Sequence, residues 1–185
     1  AGVAGLKTTL VNAAITQTEQ TLTMYCTGID NNGILLPNKG FSVFSDQTCT
    51  TNRSKLFGFN LNTPDMVEKY MTSYEVSGIT VPMLLQKYAT HGKIRAVQID
   101  VEGFDDLVVM SLPLDQIRPG MIIFECVHLS PEKLQNTINF LNGHGYYTFG
   151  YGSQNVLAFR VEILRGIPIK KRTQWAKEMI ASLSK

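Results

Sequence analysis

Residues 94–103 read IRAVQIDVEG and carry the strongest indication of the fold. Its first part is a nearly continuous apolar run, which is typical of a strand that is covered on both faces of a parallel sheet. The run ends in Asp100, Val101, Glu102 and Gly103, where glycine allows a sharp turn and a helix can begin. A second apolar strand, MIIFEC at 121–126, carries Glu125 near its end, and His128 follows closely.

Helix and strand patterns alternate around these two strands. Short helices are predicted after Thr80, after Gly103 and after Ser130, where a capping hydroxyl precedes Pro131. Before them, strands are predicted at residues 7–15, 21–26 and 74–76, an irregular insertion at 28–62 and a helix start at 63–65. After them come two strands joined by a Gly-rich hairpin link, 146–149 and 155–161, and a helix from about residue 173. The pattern predicts an α/β domain with parallel central strands and a C-terminal antiparallel hairpin.

The bulk composition excludes some classes of protein. The chain has 185 residues, which fits a single domain over 1–185. Its 17 basic and 15 acidic residues leave a net charge of +2, too balanced to predict nucleic acid as a partner. No apolar run approaches the ~18 residues of a membrane span, so membrane insertion is not predicted.

Cysteine usage favours a reducing compartment. The three cysteines, Cys26, Cys49 and Cys126, are odd in number and form no Cys-x-x-Cys pair, and Cys126 lies within an apolar run. We therefore predict no disulfide framework and a cytoplasmic location. Asn52-Arg53-Ser54 matches a glycosylation acceptor, but so short a pattern recurs by chance.

The acids that end the two apolar strands are the candidate catalytic residues. Ligands of open parallel sheets lie beyond the carboxyl ends of the strands, and Asp100, Glu102, Glu125 and His128 are all expected there. Other roles stay open: Asp100 can cap the following helix, and Glu102 can pair with a basic side chain. A metal site lacks a diagnostic spacing, and none is predicted. Paired carboxylates also occur in glycoside hydrolysis.

The sequence resembles the FkbM-type methyltransferases over about residues 7–160. The clearest match is AVQIDVEGFD at 96–105, which looks like the family's strand and Asp-x-Glu-Gly turn. Residues 119–125 resemble its Pro-x-x-Ile-Phe-Glu strand, and residues 11–15 resemble its Asn-x-Ala-Ile stretch. Residues 78–88 resemble the helix before the first strand, although Pro82 and Met83 depart from the usual Leu-Asp.

This resemblance implies a Rossmann-like class I methyltransferase sheet and transfer of a methyl group from S-adenosylmethionine. The acceptor would be a hydroxyl of a sugar or natural product. Asp100, Glu102 and Glu125 would face the substrate and the methyl donor, a carboxylate would take the hydroxyl proton, and His128 is a second candidate base. Cofactor contacts would come from Asn12, Ala13, Ala14, Asp100 and Gly103.

The family's order of strands, 3-2-1-4-5-7-6, leaves a gap in this chain, because no strand with the Gly-rich cofactor turn is recognisable. Three explanations stay open. The chain can be part of a longer protein, as its first residue, Ala1, also suggests. A second chain or protein partner can supply strands 1 and 2. The sheet can also have closed up, with the Lys7 strand beside the Ile94 strand, which would make a non-catalytic scaffold or interaction subunit.

Overall fold

A computed structural model describes residues 8–27, 49–54, 71–89, 94–101, 103–152, 154–172 and 174. The chain divides into two compact units, residues 1–80 and 81–185. The prediction of a single domain over 1–185 stays a prediction. Four of the predicted features lie wholly or largely outside the described residues: most of the 28–62 insertion, the helix start at 63–65, Glu102 and nearly all of the C-terminal helix. In the part that is described, no helix is both long and apolar enough to cross a membrane.

The described part of the first unit is a mixed sheet of four strands in the order β1-β4-β2-β3. These strands are β1 (Ala14–Ile15), β2 (Gln20–Thr27), β3 (Cys49–Thr50) and β4 (Met71–Ile79). Strand β2 runs antiparallel to β4 along its whole length, and β1 runs parallel to β4. The predicted strands at 21–26 and 74–76 are confirmed. Of the predicted 7–15 strand, residues 8–13 are not in a strand.

Gly78 lets the tight connection between β1 and β2 cross over β4. A Cβ atom at this position would lie 2.8 Å from the side chain of Thr16 and 2.9 Å from the carbonyl oxygen of Gln20. The Thr16 N–H donates to the carbonyl of Ile79 at 3.0 Å, which extends the parallel pairing by one residue. A side chain at residue 78 would therefore push the connection off the sheet.

The sequence argued against a disulfide framework and missed one bond, because Cys26 and Cys49 are bonded to each other. The two residues lie directly opposite one another in the antiparallel pair of β2 and β3. Their separation of 23 residues hides this from the sequence, and an odd count of cysteines still allows one pair, since Cys126 is the free thiol. The cytoplasmic prediction rested on the same cysteine argument and loses that support.

The second unit alternates helices and strands, as predicted. Its helices are α1 (Val81–Tyr88), α2 (Asp105–Met110), α3 (Leu114–Ile117) and α4 (Pro131–Gly143). Its strands are β5 (Ala96–Ile99), β6 (Met121–Glu125), β7 (Tyr146–Tyr151) and β8 (Asn155–Arg160). The sheet order is β5-β6-β8-β7. The predicted start of α4 is confirmed, since the Ser130 hydroxyl accepts a hydrogen bond from the Lys133 N–H at 3.3 Å.

Strands β6 and β8 form the centre of this sheet and contribute six buried apolar residues to the core. Residues 156–159 of β8 are all buried, and because neighbouring side chains point to opposite faces, both faces of the strand are covered. Ile122 and Phe124 of β6 are fully buried, as are Val109 of α2 and Leu141 of α4. Burial of each large side chain contributes about 1.5–3 kcal/mol to folding, so the two central strands anchor the second unit.

The chain is α/β, but a mostly parallel sheet is not confirmed. Strand β5 is parallel to β6, as predicted from their apolar character. Strand β8 is antiparallel to both β6 and β7, and the C-terminal hairpin is thereby confirmed. Together with the first unit, the described strands form six pairs, of which two are parallel.

Candidate functional site

The candidate site lies where β5 and β6 end side by side. Because the two strands are parallel and paired from Ala96 with Met121 to Ile99 with Phe124, the segments that follow them emerge at the same edge of the sheet. After β5 comes the turn into α2, and after β6 comes the loop of residues 126–130 into α4. Both segments contain residues that were predicted from the sequence to be catalytic or to bind the cofactor.

Gly103 brings these two segments into contact. Its φ of 97° is in the region that side chains disfavour, and an added Cβ would lie 3.2 Å from the Cβ of His128. Glycine is therefore required for two reasons, the backbone conformation and the close approach. The turn after β5 packs directly against the residue that was predicted as a candidate base.

Asp105 fastens the two strand ends to each other from the inside. Its side chain is 1% exposed. One carboxylate oxygen accepts a hydrogen bond from the Gly103 N–H at 3.2 Å, and the other accepts one from the Glu125 N–H at 3.3 Å. Hydrogen bonds to a charged acceptor are stronger than neutral ones. Asp105 therefore holds the turn after β5 and the end of β6 at a fixed separation.

Glu125 and His128 form a carboxylate–imidazole pair at this edge. The Nε2 atom of His128 lies 3.8 Å from Oε2 of Glu125. The Glu125 side chain is 18% exposed, whereas that of His128 is 47% exposed. The pair thus has one partly buried member that is fixed by the sheet and one member that solvent or a ligand can reach. Such a pair can accept a proton from a bound hydroxyl.

The electrostatic character of the edge is negative, as Cys126 records. Burial raises the pKa of the Cys126 thiol, and the neighbouring carboxylates of Glu125 and Asp105 raise it further. The backbone of Cys126 is fixed, because its N–H donates to the carbonyl of Gln154 at 2.7 Å. Negative potential that opposes a thiolate here favours a positively charged ligand at the same place.

A second buried acid, Asp106, ties α2 to α4. It is 3% exposed, and its Oδ2 atom lies 3.3 Å from the ammonium nitrogen of Lys133. Sequence reasoning singled out neither Asp105 nor Asp106 for the site. The sequence did contain an indication of these buried acids. Two adjacent acids begin the otherwise apolar helix DDLVVM, and an acid that is buried with an apolar helix needs hydrogen-bond or charged partners.

The structure brings together three of the predicted site residues, Gly103, Glu125 and His128. Asp100 is exposed in the segment that follows β5, which is the predicted edge. Glu102 lies outside the described residues. In the part of the chain that is described, no three His, Cys, Asp or Glu side chains are grouped so that they could hold a metal ion.

The three remaining residues that were predicted for the cofactor belong to the first unit. Asn12 is exposed, Ala13 is half-buried, and Ala14 begins β1. Their role stays a prediction. In the second unit, the groups that could face a cofactor are Asp100 and the turn at Gly103.

An α/β unit with acids and a histidine at the carboxyl edge of two parallel strands defines a ligand-binding class of protein, in which enzymes are common. The comparison of sequences narrows this class. The family model described as "Methyltransferase FkbM domain" matches residues 2–147. The chain therefore belongs to this family of methyltransferase domains. No curated protein and no solved structure matches the chain significantly.

Proposed function

We propose that the protein transfers a methyl group from S-adenosylmethionine to a hydroxyl oxygen of a sugar or natural product. The membership in a methyltransferase family supports methyl transfer in general. The observation that carries the finer proposal is the convergence of Gly103, Glu125 and His128 at one edge, with Asp105 bonded to both strand ends.

The residues at this edge suit the cofactor's charge. S-Adenosylmethionine, when bound, supplies the methyl group and a cationic sulfur as its leaving group. The carboxylates that raise the pKa of the Cys126 thiol favour a cation at this edge.

Glu125 and His128 are proposed to handle the proton of the acceptor. A hydroxyl becomes a better nucleophile when its proton is taken up as the oxygen reacts. His128 is the more accessible of the two, and Glu125 stands 3.8 Å behind its Nε2 atom. We assign His128 as the group that receives the proton and Glu125 as the carboxylate that orients and stabilises the resulting imidazolium. Asp100 and Glu102 are proposed to face the same ligands.

The order of strands also supports the proposal. Strands β5, β6, β8 and β7 follow one another as strands 4, 5, 7 and 6 do in the family's sheet, with one parallel pair and two antiparallel pairs. Among the described residues, β5 has one neighbour, β6. We propose that strands 1 and 2 would lie beside β5 and come from a preceding segment or from a second chain.

The single neighbour of β5 also favours a second candidate function. A chain without the cofactor strands would serve as a non-catalytic scaffold or interaction subunit of a larger assembly. Calorimetric titration of the protein with S-adenosylmethionine and with S-adenosylhomocysteine distinguishes the two functions. Micromolar binding supports the methyltransferase, and absence of binding to the full-length protein supports the scaffold.

Methyl transfer is tested with isotopically labelled S-adenosylmethionine and a panel of hydroxylated acceptors. We expect His128→Asn and Glu125→Gln to lower the turnover by about 10²–10⁴-fold, the usual contribution of a positioned base. His144→Asn is the matched control, because His144 lies at the end of α4, where its Nδ1 atom is 2.8 Å from the Phe140 carbonyl. If the His128 variant turns over as fast as the His144 variant, the assignment of the base is wrong.

A further inference from the structure

The segment of residues 51–54 is exposed throughout and contains Asn52-Arg53-Ser54. This is the one Asn-x-Ser/Thr acceptor in the whole sequence. We propose that Asn52 is a site of N-linked glycosylation, and that the chain folds in a compartment that is both oxidising and equipped for this modification. The proposal does not depend on the methyltransferase activity.

The acceptor side chain already has a conformation that suits the reaction. The carbonyl oxygen of the Asn52 side chain accepts two hydrogen bonds, from the Ser54 N–H at 3.1 Å and from the Ser54 hydroxyl at 2.7 Å. The backbone N–H of Asn52 donates to the Thr50 hydroxyl at 3.1 Å. Two donors on the amide oxygen draw electron density from the amide nitrogen and make its N–H more acidic.

The group transfer balances with a sugar on a polyisoprenyl diphosphate as the donor. The side-chain nitrogen of Asn52 forms a bond to the anomeric carbon of the sugar. The bond from that carbon to the diphosphate oxygen breaks, and the oxygen keeps the electron pair. The proton lost by the nitrogen goes to a carboxylate of the glycosyltransferase. Exposure of residues 51–54 gives that enzyme the extended access that the reaction requires.

The disulfide is a second, independent observation for the same compartment. Cys49, three residues before the acceptor, is bonded to Cys26. Disulfides persist in secretory and other oxidising compartments and are rare where thiols are kept reduced. Cys26 is fully buried, and the hydroxyl of Tyr74 lies 3.4 Å from its sulfur and 3.8 Å from that of Cys49. The bond is therefore an integrated part of the sheet that presents Asn52.

Peptide mapping of the protein purified from its natural source tests the proposal. Digestion with peptide N-glycosidase in heavy-oxygen water should convert Asn52 to a labelled Asp, and the intact mass should fall by that of a glycan. If the peptide that contains Asn52 is found only in its unmodified form before digestion, the proposal is overturned. In the same sample, Cys26 and Cys49 should resist alkylation until a reductant is added, and free thiols at both would also contradict it.

Variants show whether the acceptor geometry matters. In cells with a secretory pathway, Asn52→Gln and Ser54→Ala should abolish the glycan, whereas Ser54→Thr, which keeps the hydroxyl donor, should retain it. Asn155→Gln is the control for loss of an asparagine that is not followed by Ser or Thr two positions later. A glycan that persists in the Ser54→Ala variant would contradict the assignment to Asn52.

Discussion

Asp105→Ala offers the sharpest test of how the candidate site is held together. The substitution removes the acceptor of two hydrogen bonds, from the Gly103 N–H at 3.2 Å and the Glu125 N–H at 3.3 Å. Hydrogen bonds to a charged group contribute about 1.5–3 kcal/mol each. Both distances are at the long end of the usual range, so we expect the free energy of unfolding to fall by about 3 kcal/mol. Asp105→Asn keeps one acceptor, and its loss should be about half as large.

Urea unfolding measures this loss, and hydrogen exchange locates it. The amides of Gly103 and Glu125 should exchange faster in Asp105→Ala than in the native protein, beyond what the lower global stability explains. Asp115→Ala is the control, because Asp115 is exposed in α3 and its loss should cost about 0.5 kcal/mol or less. If Asp105→Ala is as stable as this control, or if the two amides keep their protection, Asp105 does not hold the strand ends.

Three further predictions concern the disulfide, the glycine turn and a buried tyrosine. Reduction, or Cys26→Ser, should lower the free energy of unfolding by about 3 kcal/mol, since the bond closes a loop of 23 residues. Cys126→Ser is the control, and an unchanged urea midpoint after reduction would contradict the pairing of Cys26 with Cys49. Gly103→Ala should destabilise the protein by about 1–3 kcal/mol, which is more than Gly145→Ala. Both glycines have a positive φ, but of the two only Gly103 has a neighbour within 4 Å of an added Cβ. Equal losses of stability in thermal unfolding would rule out crowding against His128. Burial raises the pKa of Tyr146 to about 12 from 10.0, so its contribution to stability is present below pH 10 and is lost as the pH rises through 12. Denaturant titrations of Tyr146→Phe should lack this alkaline loss, and an identical loss in the variant would refute the role of Tyr146.

Much of the second unit was predictable from local patterns. The apolar strands β5 and β6, the Ser130 cap before Pro131 and the C-terminal hairpin all depend on residues that are near one another in the chain. A strand's covered faces and a helix's capped end leave their signature in the sequence because the same few residues satisfy the requirement. The Asp-x-Glu-Gly turn identified the family in the same way, and the family match confirms it.

The site was only partly predictable, because its contacts join distant residues. The sequence placed Glu125 and His128 at one edge, but it treated Asp105 as the last letter of a family motif. Only pairing in three dimensions shows that Asp105 bonds Gly103 and Glu125. Burial decides its role, and burial depends on the helices and strands packed around it rather than on its neighbours in the chain.

The cysteines show most clearly the difference between what could be predicted from the sequence and what required the folded structure. The α/β class, the family and the turn at Gly103 could all be predicted from short runs of residues. The pairing of Cys26 with Cys49 and the exposure of residues 51–54 can be seen only in the folded chain. The physical reason is that strand register sets which residues meet, and register is fixed by pairing between segments that the sequence keeps far apart.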